Sequence, residues 1–432
     1  MTSCGSTPAN APQFGNRWWL RRGAERSGAE PRNHVQRRTL RTLAISQVVG
    51  GIGNGAGLAV GALIVKDVSG SSGWAGMATV MLTLGAALFT LPLASLASRA
   101  GRRPPLTLGW LFGASGTVTT IAGAEWSSLF VTLLGLILFG ASTAANLQSR
   151  FAAVDLAEPD QLGRSLSLVI WSTTIGAVIG PNLTGPGATL AGNLGIPDLA
   201  GPLAFSAVGF VLAGLLIFVA LRPDPLIVAG GVNSSQRSGI RAALPHVHGR
   251  TLAGILTVGS AHAVMVAVMA MTPVHMQDHG AALNIIGLTI SLHIAGMYAL
   301  SPVMGWLSDR WGARQTILLG QSILLVAVFI AGTSGQSSAQ ISVGLVLLGV
   351  GWSASVIAGS ALLSQNLAPE VRPAVQGLSD LVMNLAGAGG GLVAGLVMAG
   401  WGFGTLNAAA AVLTLPVVFV IVAGRRTIAT TA

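Results

Sequence analysis

The chain has 432 residues, 52% of them apolar and only 8% charged, with a mean hydropathy of +0.71. Soluble domains carry about 25% charged residues, so this composition excludes a water-soluble enzyme, which could not cover its surface. The net charge of +10 and the single cysteine, Cys4, exclude two further classes: the arginines are scattered over loops, unlike a nucleic-acid-binding face, and one thiol builds neither a disulfide framework nor a cysteine metal cluster.

In chain order, residues 1–38 are polar and arginine-rich and read as a disordered cytoplasmic tail at anionic lipid. Twelve apolar stretches follow, each near the roughly 20 residues that cross a bilayer as a helix. They are 42–65, 74–97, 105–123, 128–149, 165–189, 202–221, 251–274, 284–306, 315–333, 339–363, 379–400 and 404–424. The polar segment 223–250 divides them six and six. The expected organisation is therefore a basic tail (1–38), a six-helix bundle (39–222), a cytoplasmic loop (223–250) and a second six-helix bundle (251–426). The 22 arginines all fall in the tail, at one set of span ends or in the loops on that side, whereas Lys66, the only lysine, falls on the other. The positive-inside rule then places both termini in the cytoplasm. The expected fold is an all-α membrane protein of twelve transmembrane helices, monomeric, multi-pass in the cell membrane, with the lipid bilayer as its surroundings.

An internal repeat relates the halves. Residues 94–103 (ASLASRAGRR) align with 305–314 (GWLSDRWGAR) at an offset of 211, each joining the second and third spans of its half. Two homologous bundles enclose a cavity between them, with substrate near mid-membrane and rocking as the transport step. The second copy, with Gly305, Asp309, Arg310, Gly312 and Arg314, resembles the loop motif of the major facilitator superfamily. The first copy keeps Arg99, Gly101 and Arg102 but has Ala94 and Ser98 in place of the glycine and aspartate. The resemblance implies two pseudo-symmetric six-helix bundles and a loop whose charges hold one gating state. In span 5, Gly176, Gly180, Pro181 and Gly185 are similar to the Gly-x-x-x-Gly-Pro-x-x-Gly-Gly motif of proton-coupled drug exporters. Thr184 stands at the first of the last two glycines, and Leu136 stands where those exporters carry an arginine.

Ionisable groups inside lipid point to function. His262, His275, His279 and His293 crowd into spans 7 and 8 and their connection, with Met265, Met269, Met271, Met276 and Met297. His262, Met265 and Met269 share one helix face, as do His293 and Met297. At matched depth on antiparallel helices these form a ladder of neutral, soft ligands suited to Cu(I). The spacing also resembles that of the CcoA-like copper importers of the superfamily, which implies Met265, Met269, His293 and Met297 as ligands of a transported copper ion. The same histidines also suit proton coupling or the lining of an organic substrate's cavity. Asp380 is expected either to carry a coupled proton or to pair with Arg99 or Arg102 across the halves. Arg150 and Asp155 read as structural. Gln47 and Asn54 share a face of span 1, lining the cavity or joining helices.

No Gly-x-x-x-x-Gly-Lys-Ser/Thr stretch is present to bind a nucleotide, so gradients must supply the energy. The leading expectation is a secondary transporter that imports a soft metal ion, copper first. The alternative is a proton-coupled exporter (an antiporter) of drugs or metabolites. Neither needs catalytic residues or a resident cofactor.

Overall fold

The computed structural model describes residues 18–71, 74, 77–232, 239–365 and 367–421. Residues 1–17 and 422–432, with Arg425 and Arg426, lie outside them. The described residues are helical, and twelve spans are traced.

Span 1 is Trp18–Ser69, span 2 Met77–Ala100, span 3 Arg103–Glu125 and span 4 Leu129–Ala152. Span 5 is two helices, Leu162–Asn182 and Thr184–Leu194, and span 6 is Gly201–Ala220. In the second half, span 7 is Gly249–Asp278, and span 8 is again two helices, Leu283–Tyr298 and Ser301–Trp311. Span 9 is Ala313–Gly332 and span 10 Ser338–Gln365. Spans 11 and 12 run through Arg372–Val412, with Gly402 (φ 80°) at the kink between them, and residues 415–421 complete span 12.

Four local differences from the sequence expectation have physical causes. Helix 1 reaches back to Trp18, through part of the expected tail, where seven arginines among residues 18–41 favour helix. Span 5 breaks at Leu183, where Pro186 in the first turn of the next helix cannot donate to the Asn182 carbonyl. Span 8 breaks just before Ser301-Pro302 for the same reason. Spans 11 and 12 lack a polar connection, so Gly402 alone makes the bend. Span 3 falls short of the hydropathy of the other spans because proline, threonine and glycine interrupt it.

The first half packs around Trp110, Phe139 and Phe210, with Phe139 and Phe210 edge to face at 5.1 Å. The second half packs around Met265, Met297, Trp352, Met383 and Phe403. Two further clusters cross between the halves. Val154, Leu162 and Leu166 meet Met304, Leu307 and Leu362, and Phe151 meets Leu363, Val371 and Val375. Both lie at the end where most loop arginines collect, so the arginine-rich end of the cleft is shut by apolar packing.

Candidate functional site: a cross-half gate and a central cluster

Among the described residues, the side-chain hydrogen bonds that join the halves gather at or near the arginine-rich end. They form two locks of different construction, one for each copy of the repeated loop.

In the second-half lock, Asp309 at the end of span 8 accepts hydrogen bonds from the backbone N–H groups of Gly163 (2.7 Å) and Arg164 (2.9 Å). These are the free donors of the first turn of span 5, so the carboxylate both caps that helix and meets its positive end. The Arg164 side chain adds a mostly exposed ion pair at 4.0 Å. Arg310 lies over the Trp306 ring at 5.6 Å, and Arg314 is in the first turn of span 9. Gly312 (φ 95°) and Gly101 (φ 86°) hold the same position in the two copies, and both take the left-handed turn that favours glycine. Asp309→Ala is expected to weaken this cap by about 1 kcal/mol and to raise labelling of a cysteine placed at the buried Leu162; unchanged labelling counts against the capping role.

In the first-half lock, Ser98 turns back to the Ser95 carbonyl of its own helix (2.8 Å). Arg102 replaces the missing carboxylate link. Its Nε and Nη2 donate to the two oxygens of Asp155 at 2.7 and 3.0 Å, and Nη2 also donates to Gln376 Oε1 of span 11 at 2.6 Å. Burial pushes the Asp155 carboxyl up, opposed by the Arg102 guanidinium. Arg372 donates to the Asp155 carbonyl (3.4 Å) and to its own Leu367 carbonyl (3.0 Å). Arg99 is exposed at the end of span 2. Ala94 fits because its helix neighbour is Gly377, where a Cβ would overlap that of Ala94. In the other lock the glycine is on span 8: Gly305 faces the Gly163 carbonyl and the Ser167 side chain.

Deeper in the cleft, Asp380 of span 11 pairs with Arg150 of span 4, both nearly wholly buried. This corrects one expectation: the partner of Asp380 is Arg150, not Arg99 or Arg102; Arg150 and, through its carbonyl, Asp155 both bond across the halves. The matched depth of Arg150 and Asp380 at the same ends of spans 4 and 11 was the available signal. Arg150 Nε and Asp380 Oδ2 are buried without partners. The Arg150 guanidinium also approaches Met383 Sδ at 3.9 Å.

The central cluster lies beyond this pair. Trp352 of span 10 donates from Nε1 to His262 Nδ1 at 3.2 Å, which leaves the imidazole proton on Nε2. Tyr298 meets Trp352 edge to face at 5.9 Å. Sequence reading missed Trp352 and Tyr298, since aromatic residues in apolar helices look like packing. Gly387 of span 11 leaves room for the His262 ring.

Met265 and Met297 are buried in one cluster with Trp352, and Met269 packs on its edge. The expected ladder of facing residues on spans 7 and 8 is not formed directly. Span 8 packs mainly on span 10, whereas span 7 packs most extensively on the Arg372–Val412 helix and then on span 10. His293 Nδ1 meets the Leu345 carbonyl there at 2.8 Å, leaving Nε2 buried without a partner. Backbone contact explains the turn of that face: Gly349 lies against the His293 carbonyl and Met297 nitrogen, and Gly296 against the Val346 carbonyl. At the opposite end of span 7, His275 stacks on Phe403 at 4.3 Å and meets His279 at a tilt. In span 5, Gly176 and Gly180 lie against the span 1 backbone at Gly51 and Gly55, and Gly185, past the helix break, faces open space. Gln47 and Asn54 serve helix contacts: Gln47 donates to the Asn146 carbonyl (3.3 Å), and Asn54 accepts from Ser142 (2.8 Å).

Two pseudo-symmetric helical bundles, locked at one end around a buried polar cluster, define a membrane transporter architecture. Residues 43–280 and 253–429 match the model of the Major Facilitator Superfamily, and the chain belongs to that family. It is 37% identical over 406 residues to the uncharacterized MFS-type transporter YdeG of Bacillus subtilis (strain 168), covering 92% of this chain and 94% of that one. It is 28% identical over 377 residues to the riboflavin transporter RfnT of Brucella anthropi, covering 86% and 92%. Among solved structures, the MFS transporter FucP in the outward conformation superposes with a TM-score of 0.72 at 16% identity, covering 89% of this chain and 97% of that one.

Proposed function

We propose that this protein is a secondary active transporter of the cell membrane, its arginine-rich end cytoplasmic, that moves a small organic solute with an aromatic ring and couples that movement to protons through Asp380. The observation that carries this reading is the Arg150–Asp380 pair, which joins the halves while each group keeps one unpartnered atom. Met383, which the Arg150 guanidinium approaches, lies in one cluster with Trp352. A proton taken by Asp380 removes the attraction between spans 4 and 11 and favours opening of the shut end. A solute bound against Trp352 and Tyr298, hydrogen-bonded to His262 or Arg150, gains stacking in a site that excludes water. The riboflavin transporter among its relatives supports an organic, ring-bearing cargo.

Copper import is the second reading. It is favoured by the free, unprotonated Nε2 of His293 and by Met265, Met269 and Met297 in one cluster; a monovalent ion would bind such neutral ligands without burying net negative charge. The test is proton movement in proteoliposomes containing the full chain. Aromatic heterocycles, riboflavin included, are expected to elicit proton flux, and sugars are not. Flux or uptake elicited by Cu(I) alone, and lost in a Met265→Ala/His293→Ala variant, would overturn the organic reading in favour of the metal.

A further inference from the structure

Span 6 presents one exposed apolar face. Val208, Val211, Leu215 and Phe218 are all at least 45% exposed and recur at helical spacing. Arg222 continues the line four residues beyond Phe218, where the chain leaves the apolar stretch at the arginine-rich end. The Arg222 guanidinium lies 5.6 Å from the centre of the Phe218 ring, and that of Arg103, from the first turn of span 3, lies 5.5 Å from the same centre. Two like charges therefore converge on one half-exposed ring at the edge of the apolar zone.

Among the described residues, neither guanidinium pairs with a carboxylate. Asp224, two residues beyond Arg222, directs its oxygens elsewhere: it accepts from the backbone N–H groups of Arg103 (2.7 Å), Leu226 (3.0 Å) and Ile227 (3.4 Å). That bonding fixes the first turn of span 3 without neutralising the side chains. Cation–π attraction to one phenyl ring is modest and leaves neither guanidinium charge neutralised. A bridging oxyanion would satisfy both, because the guanidinium fork matches phosphate geometry.

We propose that Arg103, Arg222 and Phe218 bind the phosphate of an anionic phospholipid, whose acyl chain lies along the Val208–Phe218 face. The apolar face running to the two arginines favours a lipid over a free anion. A net negative headgroup is favoured over a zwitterionic one, whose own amine would compete for the phosphate.

The test is lipid retention by the purified full-length protein, measured by native mass spectrometry during titration with phosphatidylglycerol or phosphatidylethanolamine. The wild type is expected to prefer phosphatidylglycerol by a factor on the order of ten, as two interfacial arginines allow. Arg103→Gln/Arg222→Gln should abolish the preference, and Arg222→Lys should keep most of it. Arg241→Gln, an exposed arginine of the central segment, should leave it unchanged. Arg222→Gln alone, at an exposed position, should also reduce it and guards against misfolding of the double variant. Equal retention of both lipids, an unchanged preference in R222Q, or displacement of phosphatidylglycerol by millimolar inorganic phosphate would overturn the proposal, the last by making this a site for the free anion.

Discussion

Asp380→Asn is expected to abolish proton-driven transport while leaving a folded, less stable protein. The substitution removes the charge that faces Arg150 across the halves and leaves a guanidinium buried with no counter-charge. Breaking a buried pair from one side costs about 3–5 kcal/mol, enough to lower the thermal unfolding temperature and to bias the gate toward opening. A proton-coupled carrier with this carboxylate gone has no titrating group in the cross-half pair, so substrate exchange should persist while uphill transport fails. Arg150→Met combined with Asp380→Asn removes both charges, and Met383 already shows that a thioether is accommodated beside them. The double variant should therefore regain much of the lost stability without regaining coupling. Equal unfolding temperatures in wild type and D380N, measured by heating in detergent, would argue that the pair does not hold the halves together.

The second large effect is expected from Gly305→Val. Gly305 is buried where span 8 crosses span 5, and a Cβ there would overlap the Gly163 carbonyl and the Ser167 hydroxyl. Overpacking of this kind costs about 1–3 kcal/mol. Here it penalises only the state in which the arginine-rich end is shut, so the equilibrium should shift by about 5–150-fold toward the open form. Transport should fall accordingly, while protein yield and helix content stay near normal. The equivalent position of the other lock carries Ala94, and there the close approach is provided by Gly377. Ala94→Gly should thus be nearly silent and Gly377→Val as damaging as Gly305→Val. Comparable transport by G305V and wild type would show that the shut state is not part of the cycle.

The fold was legible because its signals are long-range regularities of composition: stretches of about twenty apolar residues, an arginine bias between loops, and one loop repeated at an offset of 211. The helix breaks at Leu183 and before Ser301 were harder to place, since Pro186 and Pro302 occur inside otherwise continuous apolar runs, where lipid gives no polar boundary. The site was only partly legible. Asp380 stood out as a carboxylate at a span edge, but its partner depends on how spans 4 and 11 meet, and no sequence period encodes that. The Met/His spacing pointed to helices 7 and 8, whose Met265 and Met297 lie in the central core. It did not reveal that span 10 stands between them, engaging His262 through Trp352 and His293 through the Leu345 carbonyl. The first-half lock shows the same limit: the loss of a carboxylate at Ser98 is visible in the repeat, whereas its replacement by Arg102, Asp155 and Gln376 requires three segments far apart in the chain.

Protonation of Asp380 is expected to release the arginine-rich end. The most direct measurement is the spin–spin distance between labels at Glu158→Cys and Trp311→Cys, one exposed position on each half at that end, in a Cys4→Ser background reconstituted in lipid. The wild type is expected to show a short-distance population at high pH that gives way to a longer one as pH falls, and D380N should show the longer one at every pH. A wild-type distribution that does not move with pH, together with the same distribution in D380N, would contradict the account.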